Sequence, residues 1–308
     1  MRIIRDTTFM DPGDRGATVA IGNFDGVHLG HQAVLKIAAA AADAPLGVLT
    51  FEPHPREFFA PLAAPFRLMN ATAKAHRLES LGVDFLYELP FNERLAALTP
   101  AAFCREILAD RLGCVNVTVG ADFCFGKDRA GSVETLKSEA EKLGFGVTVA
   151  ELIAADGTEV SSTNIRTALA EGRPGDAAVM LGHLHRISGV VVQGDQRGRE
   201  LGYPTANMSI EGLHRPKFGV YAVEVEVYSG ANVGTYKGVA SLGIRPMFDG
   251  DAPNLETFLF DFSGDLYGAE LSVALVEYLR PEEKFDSLEA LIAQMNLDSA
   301  AARTILGV

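Results

Sequence analysis

Two histidines three residues apart, His28 and His31, follow the run Gly22-Asn23-Phe24-Asp25-Gly26-Val27 and precede an apolar, alanine-rich segment. That spacing puts both side chains on one face of a helix that starts at the end of the run. Imidazoles offer hydrogen-bond donors near neutral pH, and the first turn of a helix adds N–H groups that have no partner within it. Glycines at 22, 26 and 30 permit a tight turn and a close approach of backbone to a ligand. Together these features suit the phosphates of a nucleoside triphosphate held at a helix N-terminus.

Other segments carry residue types suited to phosphate or proton chemistry. Val160-Ser161-Ser162-Thr163-Asn164-Ile165-Arg166 reads as a helix start. Ser161 or Ser162 can cap it, its first N–H groups can take phosphate oxygens, and Arg166 adds a planar, permanent cation. Gly126-Lys127 invites a P-loop reading, but five residues separate Gly120 from Gly126, and Asp128 stands where a Ser or Thr is needed. In the second half, Gly198 to Asn207 contains Pro204-Thr205-Ala206-Asn207, and Glu256 lies in an apolar stretch, Leu255 to Phe262. A lone strand carboxylate is ordinarily a solvated face. His183 and His185 read as linker or surface residues, because two histidines without a third ligand make a poor metal site.

These residues need elements to hold them. Strands are expected at 18–21, 46–52, 83–89, 114–120 and 146–153, and helices at 30–42, 71–82, 99–112, 133–144 and 162–171. Strands such as Leu46-Gly47-Val48-Leu49-Thr50-Phe51 are almost wholly apolar, as strands covered on both faces are. The alternation predicts βαβ units and a doubly wound parallel sheet, whose ligands sit at the carboxyl ends of the strands. After Gly182 the period changes. Tyr221 to Tyr228 alternates Val and Glu, the mark of a half-buried antiparallel strand. Further strands at 187–193, 235–242, 255–262 and 270–278 suggest a small barrel, closed by one or two helices over 286–306. Gly172-Arg173-Pro174-Gly175 and the segment around Gly182 read as linkers.

The chain has 308 residues, enough for about two domains. A net charge of −13 argues against nucleic acid or an anionic membrane surface as a partner, and requires any ATP site to be locally basic. Cys104, Cys114 and Cys124 form no metal or disulfide pattern and fit a reducing cytosol. No apolar segment follows Arg2 and Arg5, so no signal peptide is read. The longest apolar stretch, Ile37 to Phe51, is broken by Asp43 and Pro45 and is no membrane span.

Gly22 to His31 resembles the His-x-Gly-His signature of the nucleotidyltransferase superfamily, and with Asn23, Phe24, Asp25 and Gly26 it is similar to the bacterial FAD synthetase subgroup. Ser161 to Arg166 resembles the superfamily's second phosphate segment, while Val119 to Gly131 resembles the flavin-side loop of FAD synthetases and Phe51 to Phe59 a segment of that family bordering the flavin site. Gly198 to Asn207, Gly238 to Pro246 and Leu255 to Phe262 resemble three riboflavin kinase segments. The order of motifs matches the bacterial bifunctional riboflavin kinase/FAD synthetases over nearly the whole chain.

The resemblance implies an α/β + β protein: a Rossmann-like nucleotidyltransferase domain at 1–182, then a small antiparallel β-barrel riboflavin kinase domain at 183–308 with C-terminal helices. It implies that riboflavin becomes FMN and FMN becomes FAD, with ATP as co-substrate and Mg²⁺ in attendance, in the cytoplasm. ATP binding then falls to Gly22, Phe24, Asp25, Gly26, His28, His31, Ser162, Thr163, Arg166 and Gly198. Flavin contacts fall to Asp122, Phe123, Asp128 and Arg245, and the metal to Thr205 and Asn207. His28 and His31 serve adenylyl transfer, and Glu256 is the general base of the kinase. The chain departs from the family at Asn164, Cys124, Met247 and Phe258, where arginine, a basic residue, threonine and histidine are common. Those departures keep open a chain with one surviving activity. A different His-x-Gly-His adenylyltransferase is countered by Pro-Thr-Ala-Asn, and a non-catalytic flavin-binding regulator by the intact His28, His31, Arg166, Thr205, Asn207 and Glu256.

Overall fold

The structure, a computed structural model, describes residues 1–151, 154–155, 158–193, 202–247 and 250–308. Contacts divide the chain into two compact units, Met1–Ala64 with Lys74–Val160 and Pro65–Ala73 with Ser161–Val308.

The first unit is built on β1 (Arg2–Ile4), β2 (Thr18–Ile21), β3 (Leu46–Glu52), β4 (Phe85–Pro90), β5 (Asn116–Gly120) and β6 (Gly146–Ala150). They form a parallel sheet in the order β1-β4-β3-β2-β5-β6. Its connections carry α1 (Leu29–Ala41), α2 (Pro55–Phe59), α3 (Ala71–Ser80), α4 (Glu93–Ala96), α5 (Pro100–Ala102) and α6 (Val133–Leu143). All four residues of β2 are buried, as a strand covered on both faces requires. The chain winds outward from β2 through β3 and β4, then returns to lay β5 on the other side of β2. This reversal is the crevice in which doubly wound sheets bind ligands, and the β2–α1 turn opens into it. The helix expected at 99–112 is a single α turn followed by a π-helix over Phe103–Arg111. Its buried Phe103, Cys104, Ile107 and Leu108 follow a spacing that does not distinguish the wider turn from an α-helix. Two-residue strands β7 (Ala154–Ala155) and β8 (Thr158–Glu159) form an antiparallel pair.

The second unit starts with α7 (Ser162–Ala170) and α8 (Pro174–Leu181). It continues with β9 (His185–Val190), β10 (Ala206–Ser209), β11 (Gly219–Val227), β12 (Gly234–Met247), β13 (Gly250–Leu259), β14 (Glu270–Arg280) and α9 (Leu288–Leu306). The strands are antiparallel in the order β10-β13-β12-β11-β14-β9. Beyond the end of β9, the Val192 N–H donates to the Asn207 carbonyl at 2.9 Å, bringing the two edges together as a nearly closed barrel. Tyr221, Val223, Val225 and Val227 face its core while Glu224 and Glu226 are half-buried, as the alternation predicts.

Two expectations are corrected here. Pro174, read as part of a linker, is buried at the first position of α8, where its missing N–H costs nothing. His185, read as a linker or surface residue, opens β9 and is only 4% exposed. Pairing with Leu275 of β14 draws it into the barrel unit. Cys104 and Cys114 are free thiols in the core of the first unit, pushed up to about 12 by burial, whereas Cys124 is exposed.

Burial, and then the neighbouring His183 and His214, push the His185 imidazole down to about 3. The unfolded chain accepts that proton near its ordinary value of about 6.5. Below that value the unfolded state therefore binds more protons, and stability falls with acidification from about 6.5 toward about 3. One such group gives a slope approaching ~1.4 kcal/mol per pH unit. Replacing His185 with Gln should flatten this acid limb in thermal melts taken from about pH 7 to about pH 4.5. An unchanged limb would remove His185 as its source.

Candidate active sites

The β2–α1 turn has a constrained backbone. Phe24 and Val27 take positive φ of 50° and 42°, as does Gly26 at 85°. Left-handed non-glycine residues persist only when their surroundings hold them, and here both side chains are fully buried. His28 is the N-cap of α1, and its Nδ1 accepts the His31 N–H at 3.3 Å. An accepting Nδ1 leaves the proton of a neutral imidazole on Nε2, so His28 carries a donor there. The His28 and His31 rings stack with centroids 3.7 Å apart, and the Phe24 ring centre lies 5.0 Å from that of His31. A Cβ on Gly30 would stand 3.1 Å from the His28 ring, so a larger residue there would press that ring away from its place over the helix start by a few tenths of an ångström. Burial, His28 and the Lys74 ammonium hold His31 neutral, well below the usual histidine range. The His31 Nδ1 is buried without a hydrogen-bond partner, an atom that folding alone does not account for.

Around this turn the first unit places further chemistry. Lys74 is buried, and its Nζ donates to Thr50 Oγ1 at 3.2 Å; that hydroxyl donates to the Asn23 carbonyl at 3.3 Å. Lys74 thus supplies the local positive charge that an acidic chain needs beside its histidines. At the carboxyl end of β3, the Phe51, Phe58 and Phe59 rings meet Phe91 edge-on at 5.6, 5.3 and 5.7 Å. After β5, Phe123 is half-buried and stacks on Phe125 at 5.4 Å, while Asp122 and Asp128 are exposed. Neither Lys74 nor Phe91 lies in a sequence motif. Lys74 was legible only as a cation in an otherwise amphipathic helix.

In the second unit, Ser161 is the N-cap of α7, its Oγ accepting the Asn164 N–H at 3.2 Å, so Ser162 and Thr163 occupy the first turn. Arg166 is braced from behind. Its Nε donates to the Phe66 carbonyl at 2.6 Å and its guanidinium lies 5.3 Å from the Phe66 ring centre.

The same unit holds a cavity of about 640 Å³ between the barrel and α9. Thr205, Glu256, Phe258, Arg280 and Asp298 are among its walls. Arg280 grips Asp298 through a forked ion pair at 2.8–3.1 Å, fastening α9 to β14. Phe258 packs on Tyr203 at 4.7 Å, and the Tyr203 hydroxyl reaches Asn296 of α9. Asn207 is buried beside the cavity, directly opposite Glu256 in the β10–β13 register, and its Nδ2 lies 3.4 Å from Thr205 Oγ1. The Thr205 hydroxyl and the Asn207 amide oxygen, which accepts from Asn254 Nδ2 at 2.9 Å, are hard oxygens of the kind Mg²⁺ takes when phosphates complete its shell. Among the described residues, no group of three or more His, Cys, Asp or Glu side chains is placed to hold a metal ion. Gly198 and the Arg245 side chain lie outside the described residues.

A family model described as FAD synthetase matches residues 11–164, and one described as riboflavin kinase matches 181–306. A bifunctional riboflavin kinase/FMN adenylyltransferase of Pseudomonas fluorescens is 42% identical over 99% of this chain and 98% of its own. One of Escherichia coli K12 is 39% identical over 95% of this chain and 94% of its own. A solved Streptococcus pneumoniae structure described as a macrolide-efflux protein matches with a TM-score of 0.82 and 30% identity over 98% of each chain. Among the described residues, no helix is long and apolar enough to cross a membrane. Two family models covering the two halves, and relatives matched almost end to end, place the chain in the family of bifunctional riboflavin kinase/FMN adenylyltransferases.

Proposed function

We propose that this chain makes FAD from riboflavin in two ATP-dependent steps, with residues 183–308 as the kinase domain and 1–182 as the adenylyltransferase domain. The carrying observation is that one chain holds both a histidine turn at a sheet's switch point and a carboxylate-bearing cavity on a barrel. Each lies within one of the two matched family regions.

In the first step the riboflavin 5′-hydroxyl oxygen bonds to the γ-phosphorus of ATP, the bond to the bridging oxygen breaks, and ADP leaves. Glu256, on the cavity wall, takes the hydroxyl proton. Phe258 and Tyr203 give the cavity an aromatic wall for a flat ring system. The Thr205 hydroxyl and the side-chain amide oxygen of Asn207 would hold Mg²⁺, which would supply neutralisation of phosphate charge. Gly198 belongs to the same ATP site by motif.

In the second step an FMN phosphate oxygen bonds to the α-phosphorus of a second ATP and pyrophosphate leaves. No covalent enzyme intermediate is needed, so catalysis rests on positioning and charge stabilisation. His28 donates through Nε2, and neutral His31 is a donor rather than a second cation. The backbone from Gly22 through Phe24, Asp25 and Gly26 shapes the turn around the nucleotide. Ser162, Thr163 and Arg166 supply the further phosphate contacts. The phenylalanines around Phe91, with Asp122, Phe123 and Asp128, receive the flavin of FMN, and Arg245 serves the flavin in the kinase site. The partners are small molecules, and the compartment is the cytoplasm.

Incubating the pure chain with riboflavin, ATP and Mg²⁺, and resolving products by chromatography, should yield FMN and then FAD, with ADP and pyrophosphate. FMN accumulating alone under excess ATP would reduce the function to a kinase. That outcome is the one the departures at Asn164 and Cys124 would explain.

His31→Ala should lower FAD formation by ~10²–10³, the cost of a donor aimed at a transition-state oxygen, with FMN formation nearly unchanged. An equal fall in both rates would point to a lost fold.

Glu256→Gln keeps the shape and removes the proton acceptor. Riboflavin phosphorylation should fall by ~10²–10⁴ while FAD synthesis from supplied FMN persists. A wild-type kinase rate in a folded variant would assign the base elsewhere.

A further inference from the structure

We propose that Asn254 is a positioning residue of the kinase site, locking Asn207 and the Glu256 carboxylate into one hydrogen-bonded frame. The inference rests on the roles proposed above for those two residues. Asn254 stands two residues before Glu256 on β13, so both project from the same face of the strand. Across the ladder, Asn207 faces Glu256 and Ser209 faces Asn254, which brings the Asn207 side chain within diagonal reach.

The Asn254 Nδ2 donates to Asn207 Oδ1 at 2.9 Å and to Glu256 Oε1 at 3.4 Å. A primary amide has two N–H bonds on its nitrogen, and this pair uses both. The first bond decides which way the Asn207 amide is turned. With one Oδ1 lone pair on Asn254 and the second left for a metal ion, Asn207 Nδ2 donates to Thr205, at 3.3 Å to its carbonyl and 3.4 Å to its hydroxyl. A relay therefore runs from Asn254 through Asn207 to Thr205 on the cavity wall. The second bond, at 3.4 Å, contributes to the orientation of the Glu256 carboxylate.

Side chains that merely satisfy a core amide mostly bond to backbone or water. Asn254 instead spends both donors on the two side chains that the proposed chemistry needs. Asn254 and Asn207 are both buried, at 8% and 6% exposure, so bulk water does not replace these bonds when they are lost.

The test uses the full-length chain with Asn254→Asp and Asn254→Leu. Both remove the donors at nearly constant volume, and Asp adds a charge facing Glu256. Riboflavin phosphorylation should lose about tenfold to a hundredfold in kcat in both, with FMN adenylylation unchanged. In the Asp variant the acidic limb of the kinase pH profile should move to higher pH, since a like charge disfavours the ionised base. Calorimetric binding of ADP with Mg²⁺ should weaken about tenfold while binding of ADP without metal stays constant. A purely structural role would lower thermal stability and weaken both binding reactions alike, and that result would overturn the proposal. If one variant does not fold, the other decides. Wild-type kinase kinetics in a folded Asn254 variant, beside an inactive Glu256→Gln, would overturn the positioning role alone. An active Glu256→Gln would overturn the reading on which it rests.

Discussion

Strand β13 is hydrogen-bonded on both sides, to β10 and to β12, and this double pairing decides what chemistry the barrel can hold. Its side chains alternate. Leu255 and Leu259 belong to the barrel core, while Asn254, Glu256 and Phe258 take the opposite face. A slip of one residue would exchange the two sets, burying a carboxylate in the core and presenting leucine to the cavity. Two neighbouring ladders oppose that slip, so the cavity's composition follows from backbone pairing before any side chain is considered. α9 completes the enclosure and is fixed at both ends. Its start is capped by Ser287, and its last turn is held by the Lys237 ammonium on the Leu306 carbonyl and by the Arg303–Asp261 ion pair.

The first unit reaches the same end by different means. A parallel sheet delivers the chain to its carboxyl edge, and the turn from β2 to α1 must then reverse within a few residues. Phe24 and Val27 take left-handed backbone at a cost of about 1–3 kcal/mol each, and burial of their side chains sustains it. Phe24 therefore acts twice, as core filler and as the ring beside His31. Fold stability and histidine placement are coupled at that residue.

What could be read in advance follows how local each signal is. His28 and His31 were legible because their spacing and glycines act within one turn. The buried strands were legible because both of their faces are apolar. β1 was missed because three residues carry no period, and it exists only through pairing with β4, some eighty residues on. His185 was misread for the same reason, since its burial is decided by β14. Pro174 was misread because Pro-Gly composition marks a loop and a helix start equally well. The ranges of motif and contact also differ: α7 and α8 pack with the barrel unit, although a motif reading groups Ser162 and Arg166 with the first half. Asn254, Lys74 and Phe91 belong to no motif, and only their neighbours give them meaning.

The three cysteines divide sharply by environment. Cys104 and Cys114 are sealed in the core with thiols held protonated far above physiological pH, whereas Cys124 sits exposed on the loop after β5, two residues from Asp122. Thiol-reactive reagents act on the thiolate of accessible cysteines. The native chain is thus already a singly addressable protein. A fluorophore or spin label would attach at one place without mutagenesis, at the rim of the sheet's carboxyl edge. From there it would report on that loop as each nucleotide or flavin is added.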